Sequence, residues 1–129
     1  MTYLDLILLA KIAGTALFVG LPFLLVPAPR LISLLKIEGS EPAMPLIRLY
    51  GWAVVALLVG YSFGFSWITK GTFPVGVVTM GLVSNAGATV LLALTGAWRQ
   101  ALPMTLFLAA IATSLAFAMI NPDAVMAAL

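Results

Sequence analysis

Cysteine and histidine are both absent from this 129-residue sequence. Their absence excludes disulfides, iron–sulfur clusters, thiolate nucleophiles, and the haem, zinc or di-iron centres that need histidine ligands. It also removes the side chain that most often acts as a general base near neutral pH. The six methionines are more typical of packing than of copper ligation. We therefore expect no metal site and no cofactor, and we favour a non-catalytic function.

Charged residues are scarce. They make up 8% of the chain, against 64% hydrophobic residues and a mean hydropathy of +1.21, whereas soluble domains contain about 25% charged residues. Such a chain cannot cover a water-exposed surface, so membrane lipids must solvate most of it. The lysines and arginines are dispersed along the sequence and leave a net charge of only +2. No basic stripe exists for a nucleic acid partner.

Four apolar runs are each close to the ~20 residues that cross a bilayer as a helix. They cover approximately residues 4–26, 45–68, 74–94 and 101–120. Prolines lie at or just before the first turn of the last three runs, at Pro45, Pro74 and Pro103, where a fixed φ suits a helix start. The sequence thus predicts an all-α integral membrane protein, a single-domain antiparallel bundle of four transmembrane helices.

The first loop is the longest, and it carries a helical pattern of its own. Leu31, Leu34 and Leu35 recur at helical spacing, with Arg30 and Lys36 available to reach lipid headgroups. This pattern predicts a short interfacial amphipathic helix. The alternative is an extended loop.

Basic residues near the ends of the runs predict the orientation. The first and third loops and their flanks hold Arg30, Lys36, Arg48 and Arg99, whereas the opposite side holds Lys70 and Lys11. This asymmetry favours a cytoplasmic location for the first and third loops. Both termini would then lie outside.

Lys11 is the most unusual residue, because it lies about 10 Å along the first helix from Leu4 at 1.5 Å per residue. An ionisable side chain inside a span is a candidate for a functional site. Its long stem would also allow it to reach the near interface, or it could form a structural ion pair. Asp5 is a poor partner, since a spacing of six residues places it on another helix face. Ligand binding and a structural role both stay open.

Arg48 opens the second span within the segment Arg48-Leu49-Tyr50-Gly51-Trp52. Arginine, tyrosine and tryptophan together are typical of an interfacial anchor. Alternatively, the guanidinium binds an anionic lipid or a polar ligand head through two parallel hydrogen bonds.

Asn85 lies near the centre of the third span, where its amide must find partners inside the protein. Thr15, Thr113 and Ser114 fall at a similar depth. A polar layer that holds the helices together is the simplest interpretation, at about 0.6 kcal/mol per hydrogen bond. The alternative is a ligand-orienting site, with Tyr61 of the second span as a further polar contact.

Two short segments, Arg48-Leu49-Tyr50-Gly51 and Gly81-Leu82-Val83-Ser84-Asn85, resemble the DoxX-like small four-helix membrane proteins of bacteria. The length and the four-span layout agree over nearly the whole chain. The resemblance implies a bacterial inner-membrane protein, an accessory subunit of a membrane redox system. It implies no catalytic residues.

The leading hypothesis is therefore a non-catalytic accessory or scaffold subunit of a bacterial inner-membrane assembly, surrounded by lipid and in contact with other subunits or with copies of itself. The alternative is a small carrier or binding protein for a quinone, a lipid or another apolar molecule held between the helices. Its candidate ligand-binding residues are Lys11, Arg48, Tyr61 and Asn85.

Overall fold

The computed structural model describes residues 1–35 and 44–128, and helices account for most of this part of the chain. Four helices are long, namely α1 (Tyr3–Leu25), α3 (Met44–Thr69), α4 (Val75–Leu94) and α5 (Leu102–Ile120). Two are short, α2 (Ala28–Leu35) and α6 (Pro122–Met126). A 3₁₀ turn, Ala97–Arg99, lies between α4 and α5. No strand occurs within the described ranges.

The four long helices are each long and apolar enough to cross a membrane. Their bounds differ from the predicted spans by no more than one residue at each end, which confirms the prediction of a helical chain with four helices that could each cross a membrane. Local sequence explains this agreement, because proline begins or precedes α3, α4 and α5. The antiparallel arrangement of all four helices stays a prediction.

The first loop contains α2, so a helix is present where the leucine pattern predicts one. Leu31 is buried and Leu34 is exposed. A position for α2 in the membrane interface stays a prediction, and Lys36 lies outside the described residues.

The turn between α3 and α4 follows from a single glycine. Gly71 has a φ of +71°, a left-handed conformation that other residues rarely adopt. Its N–H donates to the Ile68 carbonyl at 2.9 Å, and the Thr72 N–H donates to the Trp67 carbonyl at 3.0 Å. This pair of bonds is the Schellman motif, which satisfies carbonyls at the end of a helix. It ends α3.

Asp5 has a local role at the start of α1. Its carboxylate accepts a hydrogen bond from the Thr2 N–H at 2.7 Å, and the Thr2 hydroxyl accepts one from the Asp5 N–H at 3.2 Å. This reciprocal capping box satisfies donors that the first turn of a helix leaves free. Asp5 therefore caps the start of α1.

The chain divides into two units, one of residues 1–9 and 63–129 and one of residues 10–62. In the first unit α4 and α5 pack closely together. Leu8 reaches the surface of α3 at Gly64, where an added Cβ would lie 2.7 Å from its Cδ1 atom. Thr2 and Ala128 form an isolated antiparallel bridge. The two ends of the chain therefore lie side by side in this unit.

In the second unit the latter part of α1 packs against the first part of α3. A Cβ at Gly20 would lie 3.2 Å from Val55, and a Cβ at Gly51 would lie 2.8 Å from the Phe23 Cβ. The rings of Phe23 and Tyr50 are 5.9 Å apart. Partners on α3 move backward along the chain as α1 moves forward, so these two segments run antiparallel.

The middle of α1 departs from regular α-helix. Ala16–Gly20 is a π-helical segment, in which the Leu21 N–H donates to the Ala16 carbonyl five residues back. Pro22 explains this change, because its ring crowds the carbonyl four residues earlier and it has no N–H to donate. Wider π turns relieve that crowding. They are also frequent at functional sites.

Candidate functional site

Each long helix buries one narrow stripe of residues at helical spacing and exposes most of its apolar side chains. On α1 the stripe is Leu4, Leu8, Lys11, Thr15 and Val19, and on α3 it includes Val54, Leu58 and Tyr61. Polar and charged side chains also lie on the buried stripes, at Lys11, Thr15, Asn85 and Thr105. Buried polar groups of this kind need partners inside the protein when lipid surrounds it.

Lys11 and Tyr61 meet in the second unit. The Lys11 side chain is 3% exposed and Tyr61 is 0% exposed. The Lys11 Nζ atom lies 5.8 Å from the centre of the Tyr61 ring, within the range of a cation–π contact. The structure thus brings together two of the four residues predicted to bind a ligand. It also shows that Lys11 turns inward, away from lipid.

Thr15 lies on the same buried stripe, one turn after Lys11, and is 6% exposed. Its hydroxyl oxygen has no hydrogen-bond partner within residues 1–35 and 44–128. Other hydroxyls of the long helices donate to carbonyls of their own helix, at Ser62, Thr69, Ser84, Thr89, Thr95, Thr105, Thr113 and Ser114. Thr15 instead keeps a donor and two acceptor positions available at a buried point beside Lys11.

Arg48 acts at the end of the first span. Its guanidinium donates through Nη1 to the Phe23 carbonyl and through Nη2 to the Val26 carbonyl, each at 2.6 Å. These carbonyls belong to the last turn of α1, where carbonyls lack helical partners and the helix dipole favours a positive charge. Neither sequence interpretation of Arg48 included this contact. Binding of a lipid headgroup by Arg48 stays a prediction.

Asn85 belongs to the first unit and is 0% exposed. Its amide donates to the Gly81 carbonyl at 2.6 Å, and the Ser84 hydroxyl donates to the same carbonyl at 3.1 Å. Thr113 and Ser114 also donate within their own helix, to Ala109 and Ala110. The bond from the Asn85 amide to the Gly81 carbonyl lies within α4. A ligand-orienting role for Asn85 stays a prediction.

A groove of about 810 Å³ opens in the first unit. It lies between the start of α1, α5 and α6, and its lining includes Tyr3, Ile7, Phe117 and Val125. The Thr113 and Ser114 hydroxyls that also line it are bonded to their own helix, so the groove offers mainly apolar surface. The polar cluster of the second unit is the stronger candidate, because it can recognise a specific chemical group.

Comparison with known proteins adds no assignment. Neither a protein-family model, nor a curated protein, nor a solved structure matches this chain. The resemblance to the DoxX-like proteins therefore depends on the two short segments alone. Any function has to be argued from the contacts of the chain itself.

Sequence reasoning placed Thr15 in a polar layer with Asn85 but did not include it among the candidate ligand-binding residues. A signal was present, since Thr15 follows Lys11 by four residues and so shares its helix face. Pro22 in an otherwise uninterrupted apolar run was a second signal, because it marks the π segment that begins directly after Thr15.

Proposed function

We propose that this chain is a multi-pass membrane protein that binds an amphiphilic molecule, a lipid or a quinone, with the polar head held at Lys11, Thr15 and Tyr61. The apolar remainder of the ligand would lie along the helices, where most exposed side chains are hydrophobic. The carrier hypothesis from the sequence thus becomes the preferred one.

The observation that carries this proposal is the buried Thr15 hydroxyl without a hydrogen-bond partner in the described chain. Burying a hydroxyl without a bond costs about 1–3 kcal/mol. A ligand oxygen beside Lys11 would restore that bond. The cluster is closed in this structure, and the four-carbon stem of Lys11 is flexible enough to move and admit a ligand head.

The accessory-subunit hypothesis remains the competing proposal. Abundant exposed apolar side chains agree with packing against other membrane chains, but they agree equally with contact to lipid alone. No particular contact of the described residues favours it. Purification in a gentle detergent separates the two, because a subunit should bring fixed protein partners and a binding protein should bring a small molecule.

Thr15→Val tests the binding function directly. Valine has nearly the shape of threonine but no hydroxyl, so the folded protein should lose no hydrogen bond that it now makes. We expect native mass spectrometry to show a co-purified small molecule on the wild-type protein and at least tenfold less of it on Thr15→Val. The variant stripped of ligand should unfold no earlier than the stripped wild type.

Thr105→Val is the matched control. Thr105 is also buried, but its hydroxyl donates to the Ala101 carbonyl at 3.0 Å. This variant should lose about 0.6 kcal/mol of stability, the average for such bonds in membranes, and should retain the small molecule. Equal ligand occupancy in wild type and Thr15→Val would count against the proposal, as would isolation with stoichiometric protein partners and no small molecule.

For the whole chain we propose an antiparallel four-helix arrangement in the bacterial inner membrane, with α2 in the interface, the first and third loops in the cytoplasm and both termini outside. The charge asymmetry of the loops supports this orientation, and the Thr2–Ala128 bridge supports a common side for the termini. We expect a periplasm-active reporter fused after Leu129 to be active. Activity of a cytoplasm-specific reporter there would reverse the orientation.

A further inference from the structure

We propose that the head of the molecule bound at Lys11 and Thr15 is a carboxylate, so that the ligand class is a long-chain carboxylate such as a fatty acid. This inference rests on the proposed function and narrows it, since a quinone offers only neutral carbonyl oxygens.

The first support is the charge of the cluster. The Lys11 ammonium is a buried positive charge, 3% exposed, with its Nζ atom 5.8 Å from the centre of the Tyr61 ring. Electrostatic attraction falls with the dielectric constant, so an anion gains far more beside a buried ammonium than it would in water. A neutral carbonyl gains only an ordinary charge–dipole hydrogen bond.

The second support is the donor set. The Lys11 ammonium can only donate hydrogen bonds. The Thr15 hydroxyl, one helical turn away, adds a donor that no described group uses. Four residues of helix separate their Cα atoms by about 6 Å along the axis. A carboxylate accepts at two oxygens, so one head can serve both side chains, whereas a single carbonyl oxygen serves them less well.

The third support is the position of the pair within the membrane. Lys11 lies eight residues after the start of α1 at Tyr3, or about 12 Å into the span. A carboxylate at that depth would be unstable in lipid and needs a protein cation. Apolar surface along α1, including Leu17 and Leu21, is available to the chain of such a ligand in the same unit.

The test uses the full-length protein in lipid nanodiscs and a photoreactive palmitate probe, with labelled peptides identified by mass spectrometry. Palmitate, 1-hexadecanol and decylubiquinone serve as competitors. We expect labelling within residues 10–25 or 44–62, and we expect palmitate to halve it at a concentration at least tenfold below that of either neutral competitor.

Variants distinguish charge recognition from general lipid contact. Lys11→Met should lower labelling about tenfold and remove the preference for palmitate over hexadecanol, whereas Lys11→Arg should retain the preference. Thr15→Val should weaken labelling about tenfold, and the control Thr105→Val should leave it unchanged. Circular dichroism of each variant checks that the helices are intact.

Two kinds of failure have different meanings. If decylubiquinone or hexadecanol competes as well as palmitate, and labelling still depends on Thr15, the carboxylate inference is wrong and the binding function stands. If neither the palmitate probe nor a photoreactive quinone labels residues 10–25 or 44–62, both the inference and the proposed function are overturned.

Discussion

Gly51→Val should prevent stable packing of α1 against α3. A Cβ at residue 51 would lie 2.8 Å from the Phe23 Cβ and 3.4 Å from the Phe23 carbonyl carbon. These atoms are close to the main chain and cannot rotate away, so the two helices would have to separate. Overpacking of this kind costs about 1–3 kcal/mol and occasionally more. We expect about 2 kcal/mol for Gly51→Ala and at least about 3 kcal/mol for Gly51→Val, measured by unfolding in mixed dodecyl sulfate micelles.

Gly87→Val provides the comparison. Gly87 lies within α4, and a Cβ built there has no neighbouring atom within 4 Å among residues 1–35 and 44–128, apart from its own helix backbone. Its substitution should change the free energy of unfolding by less than about 0.5 kcal/mol, as is usual for surface positions away from special contacts. Similar effects of the two valine substitutions would show that close approach at Gly51 does not matter.

Removal of the Arg48 guanidinium should cause the next largest loss of stability. Arg48→Met removes two hydrogen bonds from a charged donor to the Phe23 and Val26 carbonyls. Hydrogen bonds to charged groups contribute about 1.5–3 kcal/mol each, although water near the end of α1 would replace part of this. We expect a loss of about 2 kcal/mol, with faster amide exchange in the last turn of α1. The stability of Arg48→Lys should lie between that of the wild type and that of Arg48→Met, because an ammonium lacks the planar fork that reaches two carbonyls.

Arg99→Met is the control for removing a positive charge. Arg99 is exposed, with its guanidinium carbon 5.6 Å from the centre of the Trp98 ring. We expect a change within about 0.5 kcal/mol. If Arg48→Met were as mild as Arg99→Met, the two carbonyl bonds would contribute little to stability, and binding of a lipid headgroup would become the better account of Arg48.

The segment Arg48-Leu49-Tyr50-Gly51 has a clear physical role in the second unit. Arg48 binds the last carbonyls of α1, Tyr50 packs near the Phe23 ring, and Gly51 allows Phe23 to approach. These three contacts join the end of one span to the beginning of the next. From the sequence, this segment suggested a family resemblance and an interfacial anchor. Its described contacts show that it packs α3 against the end of α1.

The two units offer different kinds of surface to a ligand. The open groove of the first unit is mainly apolar, and the hydroxyls on its wall are already bonded. The cluster of the second unit is small and closed, but it contains a buried cation and an unused hydroxyl. Specific recognition in a membrane depends on the second kind, because apolar surface alone does not distinguish a ligand from bulk lipid.

The spans, their ends and the helical class of the protein were predictable from the amino-acid sequence, because they depend on local properties. Run length and hydropathy identify a helix that can cross the bilayer, and proline marks its first turn. The sequence also singled out Lys11, Arg48, Tyr61 and Asn85, since polar groups inside apolar runs are conspicuous.

The partners of those residues were decided only by tertiary structure. Arg48 reaches carbonyls 22 and 25 residues earlier in the chain, and Gly51 matters only because Phe23 lies against it. Thr15 becomes a candidate because its hydroxyl, unlike those of Thr89 or Thr105, has no partner on its own helix. In lipid both faces of a helix are apolar, so hydrophobic periodicity cannot indicate which face is inside. That choice depends on contacts between segments far apart in the chain.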